Sequence, residues 1–247
     1  MPADLRPSDV VAETEVPLDF SLLSSGGLSR MATAAEEALE IAGLLAKTGD
    51  NVVGELIKNA GTFYEWNHYP DGDVYDAETG SQFYYHAHPA NLRTGEHGHF
   101  HTFLRPAGMP AGIAPARVPD LVPPKEPNDA LCHLIGISMD DLGAPICLFT
   151  VNRWVTGEYW YDGADILRML DRFEISHTRP SWPVNRWLGA VLRMFRPQIE
   201  ALIRARDGTV AAWQGEENVF EDRGLEVTSW CRISLAEQAT AIEAAQA

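Results

Sequence analysis

The chain has 247 residues, 45% of them hydrophobic and 22% charged, with a formal net charge of −16. That length allows one domain with a large core, in a composition ordinary for a globular protein. A surface this acidic repels phosphate backbones and anionic headgroups, so nucleic acid is excluded as an expected partner, and so is an anionic membrane surface.

Residues 1–26 read as a flexible arm, acidic and interrupted by prolines, unlike a signal peptide. No apolar run approaches the roughly 20 residues of a membrane span. Three widely spaced cysteines, Cys132, Cys147 and Cys231, argue against a disulfide framework, and a cytoplasmic home is the default. The rest, 27–247, is expected to be a single α+β domain, with a histidine-bearing sheet over 61–155 and mainly helical structure over 160–247.

From Leu28, the apolar positions Met31, Ala35, Leu39, Ala42 and Leu45 recur at helical spacing. Gly49 suits a left-handed cap, and Asp50 is placed to cap a second short helix to about Asn59. "DGDVYDAETGSQFYYHAH" reads as strand, tight turn and strand, and "HGHFHTFL" as a third strand. The seven prolines of residues 105–130 predict an extended connection, either wrapped along the surface or folded as a flap over the histidines. A second hairpin follows in "LCHLIGISMD" and "PICLFTVNRWV". Beyond it come helices, with Pro197 starting or kinking the second half of the longest. The expected architecture is an antiparallel β-meander or a small cupin-like barrel packed against N- and C-terminal helices.

Five of the eight histidines fall between Tyr84 and Phe103. Side chains alternate along a strand, so Tyr84, His86 and His88 share a face of the first strand, and His97, His99, His101 and Phe103 share a face of the next, the two lying on the same side of the paired hairpin. Symmetric pairing about the intervening loop sets His88 opposite His97, His86 opposite His99 and Tyr84 opposite His101. Imidazoles opposed in this way can share one ion at about 2.0–2.1 Å, and a third from the same strand completes a facial set. Nitrogen donors without thiolate suit divalent Fe, Zn, Mn, Ni or Cu. Five histidines exceed what one mononuclear centre uses, so some stand outside the ligand set or the site holds two ions. Glu96 lies at the loop end as a candidate ligand or general base, although strict alternation sends it to the other face. Tyr84 is a candidate for proton transfer, Arg93 for an anionic substrate group and Phe103 for a pocket wall. His68 and His133 lie on segments that can reach the same face, whereas His177 reads as structural. Solvated histidines, or a metal-free acid/base or anion-binding cluster, are the competing interpretations of the same pattern.

"GSQFYYHAH" resembles the opening of the first cupin motif, which implies His86 and His88 as metal ligands in a small barrel. The motif's glutamate is missing, since Leu92 and Arg93 stand where it should follow. A broader set, "KTGDNVVGEL", "GTFYEWNHYP", "FYYHAHP", "GEHGHFHTFLRP", "NRWVTGE", "RPSWPVNRW" and "LEVTSW", resembles a bacterial domain family of unknown function, which implies no activity. Together the residues predict a metal-dependent enzyme acting on a small-molecule substrate, with strand-borne imidazoles favouring a cupin-like oxygenase or lyase and hydrolase chemistry also open. The alternative is a non-catalytic transition-metal-binding or metal-responsive protein. Nothing in the sequence fixes the oligomeric state.

Overall fold

The computed structural model describes residues 7–21, 23–89, 92–93, 95–215 and 218–246. Its centre is a six-stranded antiparallel sheet in sequential order: β1 (Tyr69–Tyr75), β2 (Ser81–His86), β3 (Gly98–Leu104), β4 (Cys132–Met139), β5 (Pro145–Val151) and β6 (Val227–Arg232). Seven α-helices accompany it among the described residues: α1 (Ser25–Ala46), α2 (Val52–Ile57), α3 (Arg153–Thr156), α4 (Gly163–Met169), α5 (Trp182–Met194), α6 (Arg196–Ala212) and α7 (Leu235–Gln246). This is the expected α+β meander.

The barrel alternative is wrong. The sheet stays open with β1 and β6 as its edges. The register of β1 against β2 slips between Tyr69 and Val74. The free side of β6 is taken by the N-terminal segment, where Thr14 N–H donates to the Trp230 carbonyl at 2.8 Å. The described part of the expected arm thus runs beside the sheet, and the Trp230 indole donates to the Val11 carbonyl at 2.8 Å.

Leu28, Met31, Ala34, Ala35, Ala38 and Ile41 form the buried stripe of α1, which packs on α5 and α7. Asn51, not Asp50, caps α2, its Oδ1 accepting from Val53 and Gly54 at 3.0 and 2.9 Å. Gly49 adopts the left-handed conformation (φ 72°) that closes the first helix. The chain breaks between α5 and α6 just before Pro197, as proline's missing N–H requires. β6 was not anticipated, because its six residues lie between two helical segments. Residues 105–130 are extended apart from single 3₁₀ turns at Pro106–Gly108 and Pro127–Asp129. They are tied to the surface by bonds to Tyr75, Tyr159 and Trp160. No helix among the described residues is long and apolar enough to cross a membrane.

The sheet has two unlike faces. One carries Phe83, Tyr85, Phe100, Ile137 and Leu148, which join Trp187, Leu188 and Val191 of α5 in the main core. The other carries the histidines.

Candidate metal centre

β2 and β3 pair in the register that alternation predicts, with His86 opposite His99 and Tyr84 opposite His101. The ladder stops there. His88 lies two residues past the last paired position of β2, and its ring centroid stands 5.0 Å from those of both His86 and His99. The Nε2 atoms of His86 and His99 approach to 2.7 Å. One nitrogen from each of His86, His88 and His99 lies within 4.8 Å of the others. Ligands of a tetrahedral or octahedral ion stand about 2.9–3.3 Å apart at the usual metal–nitrogen length. The three nitrogens are thus gathered at separations comparable with that spacing, without matching it.

The remaining predicted residues divide. His97 leaves the group: its Nδ1 meets the Tyr85 hydroxyl at 2.6 Å and its ring lies 5.6 Å from Phe63, on the reverse side of the sheet. The ladder ends at Gly98, so strand alternation no longer governs His97. Gly98 itself is required, since a Cβ there would collide with the His86 carbonyl and the Tyr85 hydroxyl. His101 stays on the histidine face but turns its Nδ1 to His133 Nε2, 2.9 Å away. A one-residue register shift between Thr102 and Phe103 is what brings His133 round to that face.

Glu96 escapes alternation in the other direction and joins the site. Its Oε1 stands 2.6 Å from His99 Nδ1. A carboxylate accepts there, so His99 carries its proton on Nδ1 and presents a bare Nε2 to His86 and His88. Arg93 is not at an open mouth: only 6% exposed, it donates to Glu226 at 2.5 Å and stacks over Phe149 at 5.1 Å. Its Nη1 and the Oε2 of Glu96 are both buried without a hydrogen-bond partner, 3.7 Å apart. Phe103 is buried at 1% exposure against Tyr84, His101 and His133, so it backs the site without reaching a substrate.

Other walls were invisible in the sequence. Phe149 of β5 lies edge-on to His99 and His101, at 5.2 and 5.7 Å. It can do so because Gly136 leaves the space its ring fills. Ser138 faces His99 from β4 with a buried, unpartnered hydroxyl. On the outer side, Trp66 stacks on His88 at 4.4 Å, and the His68 ring lies flat on Tyr84 at 3.7 Å. The aromatic run "FYEW" was a signal for such a wall, but nothing in it marked which ring would meet which histidine.

Burial sets the charge state. It holds His86 down to about 3, with help from neighbouring His88, His68 and Arg93. Burial likewise lowers His88, takes His99 and His101 well below the usual imidazole value and holds His133 down to about 3. These rings are neutral at pH 7, the form in which imidazole ligates metal. Burial, followed by the negative charges of Asp73 and Glu158, pushes the Tyr84 phenol well above its ordinary value, so it keeps its proton.

Neither a curated protein nor a solved structure matches the chain. The family model described as "Domain of unknown function (DUF6969)" matches residues 32–233, a span that includes the whole sheet and every histidine named above. The chain belongs to that domain family.

Proposed function

We propose that His86, His88 and His99 hold one divalent transition metal, and that the protein is a metal-dependent enzyme acting on a small molecule. The observation that carries this reading is the convergence of three neutral imidazoles, one of them fixed in its metal-ready tautomer by Glu96. The donor set fits Fe, Zn, Mn, Ni or Cu, all of which accept imidazole nitrogen. Such an ion, when bound, supplies Lewis acidity beside the substrate.

The chain's own residues do the rest. Glu96 orients His99 and is taken up with that task, so it is a positioning residue and not the general base. Tyr84 keeps its phenolic proton and offers it as a hydrogen-bond donor. Phe149 and Phe103 exclude water from the inner side, which strengthens electrostatic interactions within the site. Arg93 places a fixed positive charge near the histidines, which disfavours their protonation. Burial of His99 and His101 at 1% exposure supports catalysis over the non-catalytic alternative, which calls for an exposed histidine face.

Elemental analysis of protein purified without a histidine tag tests the reading. Wild type is expected to carry about one transition metal per chain. His86→Ala and His99→Ala are expected to lose it while remaining folded. A metal-free wild type after growth with all five metals supplied overturns the proposal.

A further inference from the structure

An open cleft of about 1470 Å³ adjoins the histidines on the β1 side. Its wall is shared with the site: Trp66 stacks on His88, and His68 stacks on Tyr84 and stands edge-on to His86 at 5.6 Å. Most aromatic side chains here are buried, yet Tyr64, Trp66 and Tyr75 are 59%, 56% and 38% exposed, and all three line this cleft. Trp66 presents its ring from a left-handed backbone (φ 69°), as Asp73 does its carboxylate (φ 62°). Aspartate tolerates that conformation, but a bulky residue such as tryptophan avoids it, and where it persists the surroundings enforce it, often at a binding site. Here the enforcement is visible. Trp66 N–H donates to the Ala87 carbonyl at 2.9 Å, while Asp73 is held by His68 at 2.9 Å and by Gln82 at 2.8 Å.

The charge of the cleft narrows the occupant. Three carboxylates, Glu55, Asp71 and Asp73, line it against one arginine, Arg179, so anions are disfavoured. Exposed ring faces beside carboxylate and amide acceptors suit a molecule with an apolar face and hydroxyls at its rim. The face stacks on Trp66 and Tyr64, and the hydroxyls donate to the acceptors. The volume exceeds the roughly 300–1,000 Å³ of a pocket for one compact ligand, which favours an extended one over a small organic cation.

We propose that this cleft binds a neutral oligosaccharide and presents one of its sugar rings to the histidine centre. The proposal rests on that centre being the reacting one, but binding in the cleft does not itself require the metal. The test is titration of the full chain, in metal-loaded and chelator-treated forms, with cellohexaose, maltohexaose and N-acetylchitohexaose. Trigalacturonate and choline are the charged comparisons, and the Trp66 indole N–H resonance is the reporter.

At least one neutral hexasaccharide is expected to shift the Trp66 signal. Trp66→Ala is expected to weaken its binding by about tenfold or more, and Trp66→Phe, which keeps the platform, by only a few-fold. Circular dichroism establishes that both variants are folded, and Tyr64→Ala gives a second test of the same face. Failure of all three saccharides to bind, or preference for choline or trigalacturonate, overturns the inference. Saccharide binding by a protein that takes up no metal sinks the metal reading and leaves the binding cleft standing. Metal uptake without saccharide binding does the reverse.

Discussion

Glu96 Oε1 and His99 Nδ1 stand 2.6 Å apart, and that bond decides which nitrogen of His99 faces the other two histidines. With Nδ1–H committed to the carboxylate, Nε2 is bare, and His86 Nε2 at 2.7 Å donates to it when no cation is bound. For both Nε2 atoms to serve the proposed ion, His86 would have to carry its proton on Nδ1 instead.

Glu96→Gln weakens the pairing without removing bulk. Metal affinity is expected to fall about 10- to 100-fold, the usual cost of losing a ligand's supporting carboxylate. Competition against a chromophoric chelator measures it. Unchanged affinity would show that Glu96 does not position His99.

His97 is the internal control for the ligand set. His97→Ala is expected to keep full metal content, because its ring lies against Tyr85 and Phe63 instead of the other histidines. It removes the Tyr85 hydroxyl's partner and is expected to cost about 1–2 kcal/mol of stability. Metal analysis beside urea denaturation separates the two effects.

Acid is expected to destabilise the metal-free protein. His86 and His133 are both held down to about 3, below the 6.5 of a free imidazole, so the unfolded chain takes up protons first. Their contribution is intact above about pH 6.5 and is lost as pH falls towards 3, at about 1.4 kcal/mol per pH unit for each ring. Denaturation midpoints between pH 8 and 5 check this. A flat profile below pH 6.5 would contradict the burial of the rings as neutral groups.

Gly136→Ala places a methyl group where the Phe149 ring lies. The ring beside His99 and His101 must shift, at an expected cost of about 1–3 kcal/mol. Thermal denaturation reads the loss, and Gly136→Ala combined with Phe149→Leu is expected to recover part of it.

The local pattern of residues carried much of this structure. Helical spacing from Leu28 and the turn before Ser81 located α1 and the β1–β2 hairpin, and period-two alternation set His86 against His99. Alternation failed where the ladder ended: Glu96 and His97 each took the face opposite to the one it assigned, because neither lies within a strand. Long-range placement was illegible. Nothing near Phe149, Ser138 or Glu226 in the chain marks them as neighbours of a segment some 40 to 130 residues away, and β6 could not be read from six residues set between helices.

The Phe149 ring lying on Gly136 also limits how the back of the histidine pocket can change over evolution. Wall thickness there depends on two residues of adjacent strands filling one volume. Any single enlargement at position 136 clashes, and any single reduction at 149 opens a void beside His99 and His101. Members of this family with a differently shaped inner wall should therefore have exchanged both positions together, which makes this pair a place to look for a change of specificity.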